Sequence, residues 1–243
     1  MNKLYVVGIG PGAAEEMTLR AVRALQAAEL IVGYGTYTGL IRPLFPDKEY
    51  LETPMRKETE RCQAAIDAAA GGRAVALISG GDAGIYGMAS LILELAEGDP
   101  DLDIEVVPGV TAALSGAAAL GAPLGHDFAV ISLSDLLTPW ETIEKRLELA
   151  AAADLCVAIY NPSSRKRSDY LRKACDILMR HASPDTVCGI ARNIARSDQE
   201  IHVMTLAELR ACQTDMFTTV FIGNRQTRMI HGKMVTPRGY SYA

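Results

Sequence analysis

Residues 4–13, Leu-Tyr-Val-Val-Gly-Ile-Gly-Pro-Gly-Ala, join a strand-like apolar run to a turn that contains three glycines. A helix-like stretch rich in Ala and Leu follows at 15–28. Together these segments predict a strand, a tight turn and a helix. Further aliphatic runs alternate with helical stretches along the chain, which is typical of βαβ units around a parallel sheet. The sequence therefore predicts an α/β fold.

A break at 121–125, Gly-Ala-Pro-Leu-Gly, divides the predicted elements into two groups, because its glycines and proline disfavour both helix and strand. We therefore expect two domains, at 1–121 and 122–243. Before the break, strands are predicted at 4–9, 30–33, 74–79 and 104–107, and helices at 15–28, 57–70, 84–97 and 111–120. After it, strands are predicted at 128–133, 155–160, 187–191, 200–204 and 218–222, helices at 139–153 and 168–181, and irregular structure over the final 15 residues.

The composition indicates a globular protein that folds without covalent or metal cross-links. The chain has 243 residues, of which 49% are hydrophobic, enough to bury a core without staples. Its five cysteines are odd in number and show no Cys-x-x-Cys spacing, which argues against a disulfide framework and against a zinc site. We expect a cytoplasmic protein with no bound metal, since the first residues also show no export signal.

The net charge of −5 argues against a nucleic-acid partner. The charge is unevenly distributed: residues 1–122 carry nine Lys or Arg and 16 Asp or Glu, whereas 123–243 carry 15 and 13. We expect the second half to meet an acidic ligand. The longest charge-free stretch, 106–126, contains two prolines and four glycines, so no membrane span is predicted.

The first glycine-rich turn admits two interpretations. Residues 8–13 match the G-x-G-x-x-G/A pattern of dinucleotide-binding sites, which makes an NAD-dependent oxidoreductase one candidate. Against it, Pro11 lacks the amide that such a turn offers to a pyrophosphate, and Gly35 follows the second strand where a ribose-binding acid is expected. The other interpretation is a tight turn that binds no ligand.

Two later turns also follow predicted strands. Residues 79–84, Ser-Gly-Gly-Asp-Ala-Gly, expose backbone amides at a strand end, where open α/β sheets bind ligands. The Asp82 carboxylate suits a ligand with an ammonium group or ribose hydroxyls, or else it caps the following helix. Residues 108–112, Pro-Gly-Val-Thr-Ala, likewise end a strand and open a helix.

A strand in the second half ends in residues 160–167, Tyr-Asn-Pro-Ser-Ser-Arg-Lys-Arg. Three consecutive cations are typical of a solvated surface. Their place after a strand also favours a second interpretation, a clamp for the carboxylates of a ligand.

Taken in order, these turns resemble the tetrapyrrole methylase family, whose members transfer a methyl group from S-adenosylmethionine to porphyrin and corrin precursors. The general marks are Val-Gly-x-Gly-Pro-Gly at 7–12, Gly-Gly-Asp at 80–82 with Ile85, and Pro-Gly-Val-Thr-Ala at 108–112. Finer features resemble one branch, the precorrin-3B C17-methyltransferases of cobalamin synthesis. These features are Gly-Tyr-Gly-Thr-Tyr at 33–37, Gly-His-Asp-Phe at 125–128, Ser-Leu-Ser-Asp-Leu-Leu-Thr-Pro-Trp at 132–140 and Tyr-Asn-Pro at 160–162.

The resemblance covers essentially the whole chain and implies two α/β domains with S-adenosylmethionine in the cleft between them. It also implies a homodimer, S-adenosylhomocysteine as the spent cofactor, and a corrin precursor with several carboxylates as the acceptor. Carried over by position, the cofactor contacts would be Pro11, Gly80, Gly81, Asp82, Ile85, Thr111, Ala112, Tyr160, Asn161 and Ile194.

Methyl transfer is an in-line displacement, so such an enzyme needs mainly to orient its reactants and exclude water. The resemblance also implies contraction of the macrocycle, which calls for proton transfers. His126 and Asp127 are the candidates for them, unless they form a structural pair. Arg165, Lys166 and Arg167 are the candidates for binding substrate carboxylates. The alternatives are methylation of a different carbon of a related corrin precursor, an NAD-dependent oxidoreductase, and a non-catalytic tetrapyrrole carrier.

Overall fold

The computed structural model describes residues 2–164 and 166–241. The chain separates into two units, one that ends at Ala112 and one that begins at Ala113. The break predicted at 121–125 lies further along the chain, inside the second unit. The domain limits 1–121 and 122–243 therefore stay a prediction.

The first unit contains a five-stranded parallel sheet in the order β3-β2-β4-β1-β5. Its central strands are continuous aliphatic runs because helices cover both faces of the sheet. The four predicted strands of this part are confirmed. The edge strand β3 was not predicted, since its Glu-Tyr-Leu-Glu-Thr sequence has no such run. The strands are β1 Lys3–Gly8, β2 Leu30–Tyr34, β3 Glu49–Thr53, β4 Val75–Ser79 and β5 Asp103–Val107.

Two layers of helices enclose this sheet. Helices α1 and α2 pack with Val7, Ile31 and Ile78 on one face, and α3 and α4 pack with Val6, Val32 and other residues on the opposite face. The helices are α1 Leu19–Ala27, α2 Gly35–Ile41, α3 Glu58–Ala70 and α4 Ala89–Leu95.

Two predicted helices of this unit begin later than expected, and both differences come from turns. The helix predicted at 15–28 starts at Leu19, because Thr18 is extended and its side chain accepts a hydrogen bond from the Ala21 amide as the N-cap. The helix predicted at 84–97 starts at Ala89, because the backbone of residues 83–88 bends repeatedly.

The second unit contains a mixed sheet in the order β10-β9-β11-β8-β7, in which only the β7–β8 pair is parallel. The expectation of a parallel sheet is wrong here. The short connection 193–199 cannot make the crossover that parallel pairing of β9 and β10 requires. The elements are α5 Ala112–Leu120, β6 Gly121–Ala122, β7 Phe128–Ser132, α6 Trp140–Ala152, β8 Cys156–Tyr160, α7 Tyr170–Leu178, β9 Val187–Arg192, β10 Glu200–Thr205, α8 Leu206–Ala211, β11 Thr218–Ile222, β12 Arg228–Ile230 and β13 Lys233–Val235.

Helices again lie on both faces of the second sheet. Helices α6, α7 and α8 bury a cluster that includes Leu147, Ile159 and Leu178. Helix α5 packs on the other face, where a Cβ at Gly116 would lie only 2.8 Å from Cζ of Phe221. Small residues in α5 therefore allow its backbone to approach the sheet.

Strands β12 and β13 form a small three-stranded sheet with β6, so the irregular structure predicted over the final 15 residues is wrong for 229–235, whereas 236–241 contain no helix or strand. The hairpin turns at His231 and Gly232, with φ of 50° and 73°. Two positive φ values are typical of a type I′ turn, which His-Gly signals less strongly than Asn-Gly.

Within residues 2–164 and 166–241, no helix has both the length and the apolar character that crossing a membrane requires.

Candidate functional site

Three loops meet at the carboxyl edge of the first sheet, where the neighbouring strands β4, β1 and β5 end. The amide of Gly10 donates to the Gly81 carbonyl at 3.0 Å, and the amide of Gly81 donates to the Gly10 carbonyl at 2.7 Å. A Cβ at Gly109 would lie 2.2 Å from the Gly81 oxygen and 2.6 Å from the Gly8 oxygen. Only glycine permits this contact between the three backbones.

This edge is also where the chain connections reverse direction. Strand β1 connects through α1 to β2, which lies on the far side of β4. Strand β4 connects through α4 to β5, which lies on the far side of β1, so the two connections run in opposite directions along the sheet. The two helices lie on opposite faces of the sheet. Open α/β sheets bind ligands outside the carboxyl ends of such strands. Six of the predicted cofactor residues of the first half lie in these loops, and the seventh, Ala112, is the first residue of α5; the six are Pro11, Gly80, Gly81, Asp82, Ile85 and Thr111.

Asp82 ties two of the loops together. Its Oδ1 accepts hydrogen bonds from the amides of Gly84 at 2.8 Å and Ile85 at 3.1 Å, and its Oδ2 accepts one from Gly109 at 2.9 Å. An ionised carboxylate offers about four lone-pair positions, so little capacity remains for a ligand. Asp82 is first of all a positioning residue for the loop backbones.

The Gly-Tyr-Gly-Thr-Tyr segment after β2 supports the same edge. The Tyr37 ring packs on Gly80, where a Cβ would lie 2.5 Å from its Cε1 atom. Tyr37 also meets Tyr34 edge to face, with ring centroids 5.7 Å apart. Thr38 Oγ1 donates to Glu52 Oε1 at 2.6 Å, and this hydrogen bond lowers the pKa of Glu52. The signature residues thus place an aromatic wall beside the Gly80 backbone.

In the second unit, strands β7, β8 and β9 all end at one edge. Strands β7 and β8 are parallel, and β9 runs in the same direction because both β8 and β9 are antiparallel to β11. Tyr160 and Asn161 come at the end of β8, and Ile194 follows β9. The structure therefore brings the three predicted cofactor residues of this half to one edge of one sheet.

Contacts hold these residues in place. The amide of Ala113 donates to the Tyr160 hydroxyl at 2.7 Å. Asn161 has a φ of 53°, and its Nδ2 donates to Ser132 Oγ at 3.0 Å. Ile194 is 5% exposed and its side chain reaches α5, so that side chain is not open to a ligand.

The predicted cation clamp is only partly described, because Arg165 lies outside the described residues. Lys166 is exposed. Arg167, in the loop after β8, instead contacts the loop after β7: its Nε lies 3.2 Å from Asp135 Oδ1, its Nη1 donates to Ser134 Oγ, and its side chain is 14% exposed. Tyr170 donates to the other Asp135 oxygen at 2.6 Å. Much of the Arg167 charge is therefore compensated within the protein.

Comparison with known proteins decides the family. The family model described as Tetrapyrrole (Corrin/Porphyrin) Methylases matches residues 3–210. The chain belongs to the tetrapyrrole methylase family.

Individual relatives match this tetrapyrrole methylase over nearly their whole length. A Salmonella typhimurium protein named probable cobalt-factor III C(17)-methyltransferase is 48% identical over 239 residues, which cover 98% of this chain and 99% of that protein. A Sinorhizobium precorrin-3B C(17)-methyltransferase is 42% identical over 250 residues, with 99% and 98% covered. A crystal structure of the methyltransferase CobJ has a TM-score of 0.89 at 38% identity and covers 96% of this chain and 99% of that one.

The predicted proton carriers of this tetrapyrrole methylase do not lie with the other site residues of the second unit. His126 and Asp127 are exposed and precede β7, and the Cys156 amide at the start of β8 donates to the Asp127 carbonyl. Tyr160 is at the other end of β8, and a five-residue strand spans about 13 Å. Their role in proton transfer stays a prediction.

The thiols of this tetrapyrrole methylase are poorly suited to nucleophilic chemistry. All five cysteines are free, and four of them are buried. Burial raises the pKa of Cys62 to about 11 and that of Cys175 to about 12, and it also raises the pKa of Cys188. These thiols are protonated at neutral pH. Among residues 2–164 and 166–241, no cluster of His, Cys, Asp or Glu could hold a metal ion.

The structure adds site residues that the sequence analysis did not single out for a role. Gly8 and Gly109 make the loop contacts, Tyr37 supports Gly80, and Ser132 and Asp135 anchor the second edge. Each belongs to a motif that carries the resemblance to tetrapyrrole methylases, which is the only signal that could have found them.

Proposed function

We propose that this tetrapyrrole methylase transfers a methyl group from S-adenosylmethionine to C17 of precorrin-3B or its cobalt-bearing equivalent, with contraction of the macrocycle, in cobalamin biosynthesis. The likeness to the Salmonella typhimurium protein carries the proposal, since it reaches 48% identity over almost the full length of both chains. The names of that relative and of the Sinorhizobium relative share the C17 position and differ in the macrocycle. The proposal therefore includes both forms of the acceptor.

The edge of the first unit suits the cofactor because it consists of backbone and small side chains. The glycines that allow Gly8, Gly81 and Gly109 to touch also remove side chains from the three loops. When bound, S-adenosylmethionine supplies an electrophilic sulfonium methyl group, and it leaves as S-adenosylhomocysteine. The loop backbones would hold it, with Asp82 fixing their geometry and using its remaining acceptor capacity on the ligand.

The protein residues act by orientation and exclusion of water rather than by covalent chemistry. In-line transfer gains most of its rate from the alignment of the two reactants. The loops after β7, β8 and β9 are held by contacts such as Asn161 to Ser132 and Arg167 to Asp135, so the residues they carry are preorganised. In the second unit, Tyr160, Asn161 and the Ile194 backbone stay proposed cofactor contacts on the ground of the family resemblance.

We also propose that the protein works in the cytoplasm as a homodimer. Five free cysteines support a reducing compartment, because an oxidising one favours disulfides. The dimer is proposed from the family resemblance.

Calorimetry with S-adenosylhomocysteine and NAD tests the cofactor class. We expect S-adenosylhomocysteine to bind and NAD not to bind. The physical reason is that the Gly10 amide already donates to Gly81, and that Pro11 has no amide, so the turn cannot cradle a pyrophosphate. Binding of NAD alone would overturn the proposal in favour of an oxidoreductase.

A further inference from the structure

Arg196 has a guanidinium nitrogen that the described part of the chain leaves unsatisfied. Its Nε atom is buried and has no hydrogen-bond partner within the described part of the chain. None of the carboxylates among residues 2–164 and 166–241 forms an ion pair with its guanidinium. Buried polar atoms are nearly always hydrogen-bonded, so an orphaned guanidinium nitrogen points to a group that binds there.

Two other arginines, one in each unit, show how the fold can satisfy the Nε atom of a guanidinium. Arg192, at the end of β9, pairs with Asp215 at 2.9 Å and with Glu200 at 3.1 Å. Arg61 is 3% exposed, and its Nε and Nη2 donate to Thr53 Oγ1 and to the Pro54 carbonyl. Arg61 and Arg192 thus have structural roles that the fold itself explains.

The orientation of Arg196 is fixed in advance. Its guanidinium carbon lies 5.5 Å from the centroid of the Phe217 ring. Its amide donates to the Asn193 carbonyl at 3.0 Å, and the Asn193 amide donates to the Phe217 carbonyl at 3.2 Å. A cation stacked on an aromatic ring is held in one place without losing its charge.

The turn that carries Arg196 is strained. Asn193 and Ala195 both have positive φ, 47° and 58°. Asparagine tolerates this region, whereas alanine rarely adopts it. The Ala195 amide donates to Gln199 Oε1 at 2.7 Å, and Asn193 Nδ2 donates to Asp198 Oδ2 at 2.7 Å, so side-chain contacts maintain the turn. Strain maintained in this way is typical of functional sites.

Arg196 lies in the loop after β9, which belongs to the same sheet edge as Tyr160 and Asn161. Strand β11, which begins next to Phe217, also starts at this edge because it runs antiparallel to β8 and β9. The Arg196 guanidinium, whose Nε has no hydrogen-bond partner among residues 2–164 and 166–241, is therefore at the edge of the second unit where the reaction is proposed to occur.

We propose that Arg196 binds a carboxylate of the macrocyclic substrate and so sets its position. A guanidinium can donate two parallel hydrogen bonds to one carboxylate, which fixes direction as well as distance. The inference rests on the proposed function, because that function supplies an acceptor with several carboxylates. S-Adenosylmethionine also has a carboxylate, so the experiment measures the two ligands separately.

The test compares Arg196→Met, Arg196→Lys and the control Arg146→Met, which removes the same charge from an exposed position on α6 of the second unit. Wild-type turnover is measured first. For each variant we then measure three quantities: the affinity for precorrin-3B and its cobalt-bearing equivalent, the affinity for S-adenosylhomocysteine, and the melting temperature. We expect Arg196→Met to weaken macrocycle binding about 10- to 100-fold, the effect of losing a hydrogen bond to a charged group. We expect Arg196→Lys to lose part of this affinity. The affinity for S-adenosylhomocysteine and the melting temperature should stay unchanged in all variants, and the macrocycle affinity should stay unchanged in Arg146→Met.

Several results would overturn the inference. Unchanged macrocycle affinity in Arg196→Met, or an equal loss in Arg146→Met, would leave no specific role for this guanidinium. A loss of S-adenosylhomocysteine affinity instead would assign Arg196 to the cofactor, and a melting temperature that falls in both Arg196 variants would make it structural. An inactive wild-type enzyme would refute the proposed function itself, whereas unchanged macrocycle affinity in Arg196→Met with an active wild type would refute only the inference.

Discussion

Gly109→Ala is expected to abolish S-adenosylhomocysteine binding and to destabilise the protein by about 3 kcal/mol. The added Cβ would lie 2.2 Å from the Gly81 carbonyl oxygen and 2.6 Å from the Gly8 backbone. Both neighbours are backbone atoms, so no side chain can move aside to relieve the overlap. The three loops would have to separate, and the proposed cofactor site would lose its shape. Calorimetry and thermal unfolding measure the two effects.

Gly98→Ala is the matched control for this prediction. Gly98 is exposed, and a Cβ added there would meet no atom within 4 Å. We expect its stability to change by no more than about 0.5 kcal/mol and its ligand affinity to stay the same. Wild-type affinity in Gly109→Ala would contradict the assignment of these loops to the cofactor.

Asp82→Ala is expected to have the second-largest effect, with a loss of about 2–4 kcal/mol in stability and a large loss of S-adenosylhomocysteine affinity. The substitution removes the acceptors for the amides of Gly84, Ile85 and Gly109 at once. The stability and the S-adenosylhomocysteine affinity of Asp82→Asn should lie between those of Asp82→Ala and wild type. The asparagine amide keeps one acceptor oxygen and cannot accept a hydrogen bond at the other position. Chemical unfolding and calorimetry check both variants.

Asp99→Ala is the control for Asp82. Asp99 Oδ1 accepts a single hydrogen bond, from the Asp101 amide, in an exposed turn. Asp99→Ala should therefore lose little stability and should bind S-adenosylhomocysteine as wild type does. If Asp82→Ala bound S-adenosylhomocysteine as tightly as Asp99→Ala does, Asp82 would have no role in the cofactor site.

These two residues show what the sequence can predict about such a site. The strand-turn-helix pattern around Asp82 and Gly109 predicts where ligand-binding loops lie along the chain. It does not predict the contact between the two residues, since that depends on the strand order β4-β1-β5. Strand order follows from long-range packing, and a single sequence without repeats carries no direct signal for it.

The second unit shows the same limit for charged residues. The run at 165–167 suggested a carboxylate clamp, yet Arg167 has Asp135 as a partner at 3.2 Å. Arg196 has no neighbouring cation in the sequence that would make it stand out, and its isolation is visible only once the partners of other arginines are known. A charge run reports local density, whereas ligand binding depends on which charges the fold leaves unpaired.

Chain direction explains why the predicted proton carriers lie apart from the other site residues. His126 and Asp127 belong to a motif close to other signature residues in the sequence, but they precede β7 while Tyr160 ends β8. Parallel strands put the start of one beside the start of the other, so residues before a strand and residues after its neighbour lie at opposite edges. The predicted strands alone do not separate His126 and Asp127 from Tyr160, because that separation depends on the parallel pairing of β7 with β8.

Transfer of a ¹³C-labelled methyl group tests the central claim most directly. The purified protein is incubated with S-adenosylmethionine labelled in the methyl group and with precorrin-3B or its cobalt-bearing equivalent, and the carbon that carries the label is identified by NMR. We expect label at C17 of one macrocycle, with S-adenosylhomocysteine released in equal amount. Label at any other carbon, or no transfer to either macrocycle, would contradict it.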